Sequence, residues 1–295
     1  SFDYGLHDRT LTLVREQPVA GYRKDELESH REWATAEDGT RIPISIVHQR
    51  GLALDGTAPL LLYGYGAYEI SIDPTFSSAR LSLLDRGVVF AIAHVRGGGE
   101  CGRRWYDEGK LLHKRNTFTD FVACAEHLVE RGYSRPARTA ARGGSAGGLL
   151  MGAVVNLAPE QFGAVVADVP FVDCLTTILD PALPLTVTEW EEWGNPLEDP
   201  EVYRYMKSYS PVDNVERRDH PALLVTAGLH DPRVQYWEPA KWVARRRATG
   251  TGTRPLLLRT EMDAGHSGPS GRYDAWRDEA FVLAFLLDAL DVADA

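Results

Sequence analysis

The chain has 295 residues, 44% hydrophobic and 25% charged, which places it among globular proteins and excludes a disordered chain. It carries 42 acids against 32 bases, a net charge of −10, so binding to a phosphate backbone is disfavoured and no nucleic-acid partner is expected. No run approaches the roughly 18 apolar residues of a membrane span, and no membrane association is expected.

Cys101, Cys124 and Cys174 are odd in number and scattered, with no CxxC spacing. Neither a disulfide framework nor a cysteine zinc site is expected. Free thiols fit a reducing, cytoplasmic compartment. No secretory apolar segment follows Ser1.

In chain order, Leu11, Leu13 and Arg15 alternate with polar neighbours and predict a short strand, then an exposed connection up to Arg31. From Glu32 the texture changes. Ile42, Ile44 and Ile46 alternate as in a half-buried strand. Short apolar runs at Pro59–Tyr63, Gly87–His94, Phe162–Val169, Ala222–Thr226 and Pro255–Leu258 suit a sheet covered on both faces. Helical patterns lie between them. Phe118, Phe121, Val122, Ala125, Leu128 and Val129 form one stripe, ended by Gly132. Gly147–Asn156 is apolar nearly all round and predicts a buried helix. Pro239–Arg247 opens with a proline that the first helical turn tolerates. Trp276–Leu290 predicts a closing helix with Phe281, Phe285 and Leu286 on one side. Strand–helix alternation implies right-handed crossovers and an α/β fold, a mostly parallel central sheet with helices on both faces. Asp173–Asp213, rich in proline and lacking clean periodicity, reads as an excursion above the sheet carrying short helices.

Gly143-Gly144-Ser145-Ala146-Gly147 follows a short strand and precedes the apolar helix, the context a G-x-S-x-G elbow requires. A turn this tight demands glycines around the serine, and the helix N-terminus behind it favours developing negative charge. A capping serine in a glycine-rich loop is the bland alternative. A serine nucleophile needs a base, and the base an orienting carboxylate. Asp231 follows the Ala222–Thr226 strand and His266 follows the Pro255–Leu258 strand, in the Ser, Asp, His order of an α/β-hydrolase. Among the other histidines, His230 is the competitor, but it adjoins Asp231 and comes too early for that order. No HxxxH or HExxH spacing supports a metal, and neither metal nor cofactor is expected.

Several longer motifs resemble the catalytic domain of the prolyl oligopeptidase family. They are Tyr63-Gly64-Tyr65-Gly66, Arg96-Gly97-Gly98-Gly99-Glu100, the Gly143–Gly148 elbow, and the Asp231 and His266 loops. Val169–Asp173, Thr188–Pro196 and Gln235–Val243 are similar to the oligopeptidase B subgroup. The resemblance implies an α/β-hydrolase serine peptidase with Ser145, Asp231 and His266 as triad and no cofactor. It also implies Tyr65 and the Ala146 N–H as oxyanion donors.

Further substrate contacts follow from the same resemblance. Glu189 and Glu191 match an acidic pair for a basic P1 side chain, Phe171 stacks on that side chain, and Arg233 holds a substrate carbonyl. Asp73 matches one of two aspartates linked to a basic P2 residue; the second position is Thr75, a departure that weakens a dibasic preference. The implied reaction is hydrolysis of short basic peptides after Arg or Lys through an acyl-enzyme, falling off around pH 6 to 7 as the imidazole takes up a proton. An esterase or lipase on the same fold, and a non-catalytic binding domain, are the alternatives. Family members carry a β-propeller before this domain. Residues 1–31 are therefore expected to be the end of a propeller and its linker, and 32–295 the peptidase domain. The chain is expected to be a fragment, a processed product or one piece of a nicked protein.

Overall fold

A computed structural model describes residues 1–16 and 18–292; Gln17 and residues 293–295, which fall inside the expected domain spans, lie outside the described residues. The chain opens with an exposed antiparallel hairpin, β1 (Phe2–Tyr4) and β2 (Leu11–Leu13), separate from the main sheet. The expected strand at Leu11 is present, with an unforeseen partner.

The main sheet has eight strands. They are β3 (Leu27–Thr35), β4 (Arg41–Gln49), β5 (Leu60–Tyr63), β6 (Val89–Ala93), β7 (Thr139–Gly144), β8 (Ala164–Asp168), β9 (Ala222–Gly228) and β10 (Leu256–Glu261). Their order is β10-β9-β8-β7-β5-β6-β4-β3. From β10 to β6 every pairing is parallel; β4 and β3 add an antiparallel edge. β3 begins at Leu27, so the sheet starts before the boundary expected at residue 32.

The period-2 pattern of the strands divides the core into two layers. Leu60 and Leu62 of β5 point to one layer and Leu61 to the other; Val165 and Val166 of β8 separate in the same way. The first layer is covered by α3 (Arg115–Glu130), α4 (Ala146–Leu157) and α8 (Trp237–Thr249). The second lies beneath α1 (Ser78–Leu84) and α9 (Arg272–Ala289). α3 buries Phe118, Phe121, Ala125 and Leu128, the expected stripe, and α4 is buried from Ala146 to Val155. Each such Leu or Phe removed from water contributes roughly 1.5–3 kcal/mol.

α9 departs from expectation in one respect. Val282, Leu283, Phe285 and Leu286 face the sheet, whereas Phe281 is exposed and its ring lies under the Arg259 guanidinium at 4.6 Å. The excursion after β8 carries α5 (Cys174–Ile178), α6 (Thr186–Trp193) and α7 (Pro200–Lys207). Among the described residues, no helix is long and apolar enough to cross a membrane.

Candidate active site

β7 ends at Gly144 and α4 begins at Ala146, leaving Ser145 alone to make the turn, with φ 57° and ψ −118°. This backbone is strained for a non-glycine residue, at a cost of about 1–3 kcal/mol. Four hydrogen bonds hold it. The Ser145 N–H donates to the Asp168 carbonyl at 2.9 Å, and the Ser145 carbonyl accepts from the N–H groups of Gly148, Leu149 and Phe171. The glycines answer to close approaches. A Cβ on Gly143 would stand 2.5 Å from the Gly147 carbonyl oxygen, one on Gly147 2.8 Å from the Gly64 oxygen, and one on Gly148 2.4 Å from Pro170 Cα. Among the described residues the Ala146 N–H, at the helix start, has no backbone acceptor.

Tyr65 follows β5 and lines the same cavity as Ser145 and Ala146. Burial, with Tyr63, Glu189 and Glu192 nearby, pushes its phenol up to about 12, so it keeps its proton and remains a donor.

Asp231 is buried just beyond β9. Its Oδ1 accepts from the Arg233 and Val234 N–H groups at 2.8 and 3.0 Å, and its Oδ2 meets His266 Nδ1 at 2.6 Å. Burial works against its charge, but the His266 bond and the two backbone donors outweigh it and hold the carboxyl below its ordinary range. An ionised Asp231 fixes the proton on Nδ1 and leaves Nε2 as the acceptor. The loops after β9 and β10 are joined by Leu229 N–H to the Glu261 carbonyl and His230 N–H to the Ala264 carbonyl. His230 is exposed and its ring has no part in the pair. His266 and Asp231 are therefore brought into contact, while no hydrogen bond joins Ser145 to His266 among the described residues. Ser145 lines a cavity of about 340 Å³, and His266 a second one of about 330 Å³.

The cavity at Ser145 also contains Phe171, Glu189 and Arg233. Phe171 packs on Trp193 with ring centroids 5.4 Å apart. Glu189 accepts from Tyr68 Oη and Trp193 Nε1, each at 3.0 Å, and burial raises its carboxyl while those two bonds draw it back. Arg233 is exposed at the rim.

Two expected substrate contacts are not part of this cavity. Glu191 is exposed, because residues two apart on α6 leave opposite faces of the helix. Asp73 is exposed in a different cavity, beside Arg142 and Glu279. The acid that shares the Glu189 face is Glu192, three residues on. It is buried, accepts from the Tyr68 N–H at 3.2 Å and from Tyr106 Oη at 2.7 Å, and stands 3.7 Å from Lys114 Nζ. Burial brings the Lys114 ammonium down to about 8, and Nζ donates to the Gly66 and Gly109 carbonyls. Tyr68, Glu192 and Lys114 were not singled out in the sequence; the i, i+3 spacing of the two acids was the signal for Glu192. A larger cavity of about 790 Å³ lies against β3, β4 and α1 and holds none of the reacting groups. Among the described residues, no group of three or more His, Cys, Asp or Glu side chains could hold a metal.

Comparison with known proteins places the chain in a family. The prolyl oligopeptidase family model matches residues 74–293. Dipeptidyl aminopeptidase BI of Pseudoxanthomonas mexicana is 53% identical over 281 residues, covering 95% of this chain and 39% of that protein. Protease 2 of Moraxella lacunata is 52% identical over 293 residues, covering 99% and 42%. The structure of oligopeptidase B from Trypanosoma brucei with covalently bound antipain, in its closed form, superposes with a TM-score of 0.95 at 48% identity, covering 99% of this chain and 41% of that one. The chain thus spans about two fifths of the length of these relatives.

Proposed function

Because the chain belongs to the prolyl oligopeptidase family and is a serine peptidase domain, we propose that it hydrolyses oligopeptides on the carboxyl side of Arg or Lys through an acyl-enzyme. The observation that carries the basic specificity is Glu189, a half-buried carboxyl group in the cavity of Ser145, beside Phe171, Ile178 and Leu185. An apolar slot with one acid inside favours a long side chain with an apolar stem and a cationic tip.

In this mechanism His266 Nε2 takes the Ser145 hydroxyl proton as Oγ bonds to the scissile carbonyl carbon. Tyr65 Oη and the Ala146 N–H donate to the oxyanion. As the tetrahedral intermediate collapses, the C–N bond breaks and His266 returns the proton to the leaving amine. A water, deprotonated by the same imidazole, then releases the acid and restores Ser145. The step requires His266 to close on Ser145, and Asp231 keeps the ring in the tautomer that can receive the proton. Arg233, at the rim, is placed to donate to a substrate carbonyl. Residues before Leu27 fit the expected linker to a preceding β-propeller, and the three free cysteines fit a reducing, cytoplasmic setting.

The test is a matched pair of peptide amides differing only in Arg or Pro at P1, each with a blocked and a free dipeptidyl N-terminus. The free forms matter because one relative is named a dipeptidyl aminopeptidase. A large Arg preference is expected. Equal rates, or a preference for Pro, would remove the Glu189 assignment, and ester cleavage without amide cleavage would favour an esterase.

A further inference from the structure

The polar side chains lining the Ser145 cavity can be sorted by what they already bond. Tyr68 Oη donates to Glu189, Thr177 Oγ1 donates to Glu238 at 2.6 Å, and Thr186 Oγ1 donates to the Thr177 carbonyl at 2.9 Å. Ser145 and Tyr65 belong to the reaction and Arg233 to the rim. Gln235 remains. It lines the cavity, is only 7% exposed, and its Oε1 is buried without a hydrogen-bond partner among the described residues. Its place is fixed from behind, since its carbonyl accepts the Glu238 N–H at 3.0 Å where α8 begins.

We propose that Gln235 is a specificity-determining residue whose carboxamide oxygen accepts a hydrogen bond from the cationic tip of the P1 side chain, alongside Glu189. This rests on the basic-P1 function proposed above and deepens it.

The need for a second acceptor follows from counting. A carboxylate offers about four lone-pair positions. On Glu189 each oxygen already takes one donor, from Tyr68 and from Trp193. About two positions remain, so the roughly five N–H donors of a guanidinium leave about three unmet, whereas the roughly three of an ammonium leave about one. Donors left bare in a cavity where the Tyr68, Thr177 and Thr186 hydroxyls already donate elsewhere would be costly, and so is a buried acceptor left alone. One contact satisfies both. Rotation about the last side-chain torsion turns the oxygen toward the cavity without moving the backbone. Gln235 therefore sharpens Arg over Lys, while Glu189 selects cation over neutral.

The experiment measures kcat and KM in the full chain for peptide amides with Arg, Lys or Pro at P1, comparing wild type with Gln235→Leu, Gln235→Glu and Glu189→Gln. Gln235→Leu is expected to lower kcat/KM for Arg about 10-fold or more and for Lys several-fold less, because a lost hydrogen bond to a charged group is worth roughly that much. Gln235→Glu, which restores an acceptor, is expected to recover Arg cleavage. Circular dichroism and thermal melting identify the folded variants, and the ratio of the Arg to the Lys kcat/KM within each variant is the readout, so a general loss of Ser145 reactivity cancels. Arg and Lys falling equally in Gln235→Leu, or neither falling, overturns the proposal. If Glu189→Gln abolishes the Arg preference while Gln235→Leu leaves it intact, Gln235 alone is wrong. If wild type shows no basic preference, the underlying function falls and this proposal with it.

Discussion

The loop that carries Ser145 and the loop that carries His266 leave the same edge of the sheet, yet they are restrained by different means. β7 is an inner strand between β5 and β8, and the Ser145 backbone is held by four hydrogen bonds with backbone packed against Gly143, Gly147 and Gly148. β10 is the outermost strand, paired only with β9, and it is partly exposed along its length. His266 takes its orientation from its side chain, through Nδ1 to Asp231. Ser145 is thus fixed through main chain, and His266 through one carboxylate. The proposed proton transfer needs a Ser145–His266 bond, which is absent among the described residues, and the looser restraint lies on the His266 side.

The sharpest break of this comparison is chemical. Ser145→Ala should lower kcat by roughly 10⁴–10⁶-fold with the fold intact, measured by amide hydrolysis and thermal melting. Asp231→Asn should cost about 10⁴-fold, because a carboxamide can hold the ring in the wrong tautomer, and the loss should sit in kcat. Tyr65→Phe removes one oxyanion donor and should cost roughly 10²–10³-fold in kcat with little change in KM.

The two acids assigned from the oligopeptidase B likeness give a milder contrast. Glu189→Gln should reduce kcat/KM for an Arg substrate by roughly 10–100-fold, whereas the exposed Glu191→Gln should stay within about twofold. Equal losses would restore the acidic pair that the helix geometry separates.

The smallest effect concerns stability. Burial raises the Glu238 carboxyl to about 8, although Thr177 and the Asp173 N–H draw it down. The folded state then holds a proton that the unfolded chain, ordinarily at 4.5, has released. Stability contributed by this group is present below pH 4.5 and is lost as pH rises toward 8, by a few kcal/mol at most. Glu238→Gln should flatten that decline in melting temperature between those two pH values.

What could be read before the structure followed from how local each signal was. The elbow was legible because its constraints lie within six residues, Gly143 to Gly148, and the buried helix because every face of it is apolar. The family likeness rested on several motifs in order, and the comparisons support it across nearly the whole chain. That Glu191 and Asp73 lie outside the Ser145 cavity was not legible, because the likeness named positions without saying which way each side chain leaves its backbone. Phe281 was placed inward by counting apolar residues, although the sheet takes Val282 and Phe285 instead. Lys114 gave no pattern at all, and Gln235 only opened a stretch of the family likeness, with no role attached. Their significance comes from what surrounds them, a buried oxygen unpaired among the described residues on a side chain that lines the cavity, and an ammonium between two carbonyls, and neither is visible in a linear sequence.

The central claim is that Ser145 is a nucleophile activated by His266. The most direct measurement is the rate and site of fluorophosphonate attachment, followed by intact mass and peptide mapping, in wild type and His266→Ala. The account predicts one adduct per chain on Ser145 and a rate about 10²-fold or more slower without the imidazole. An unmodified protein, an adduct elsewhere, or the same rate in both proteins would contradict it.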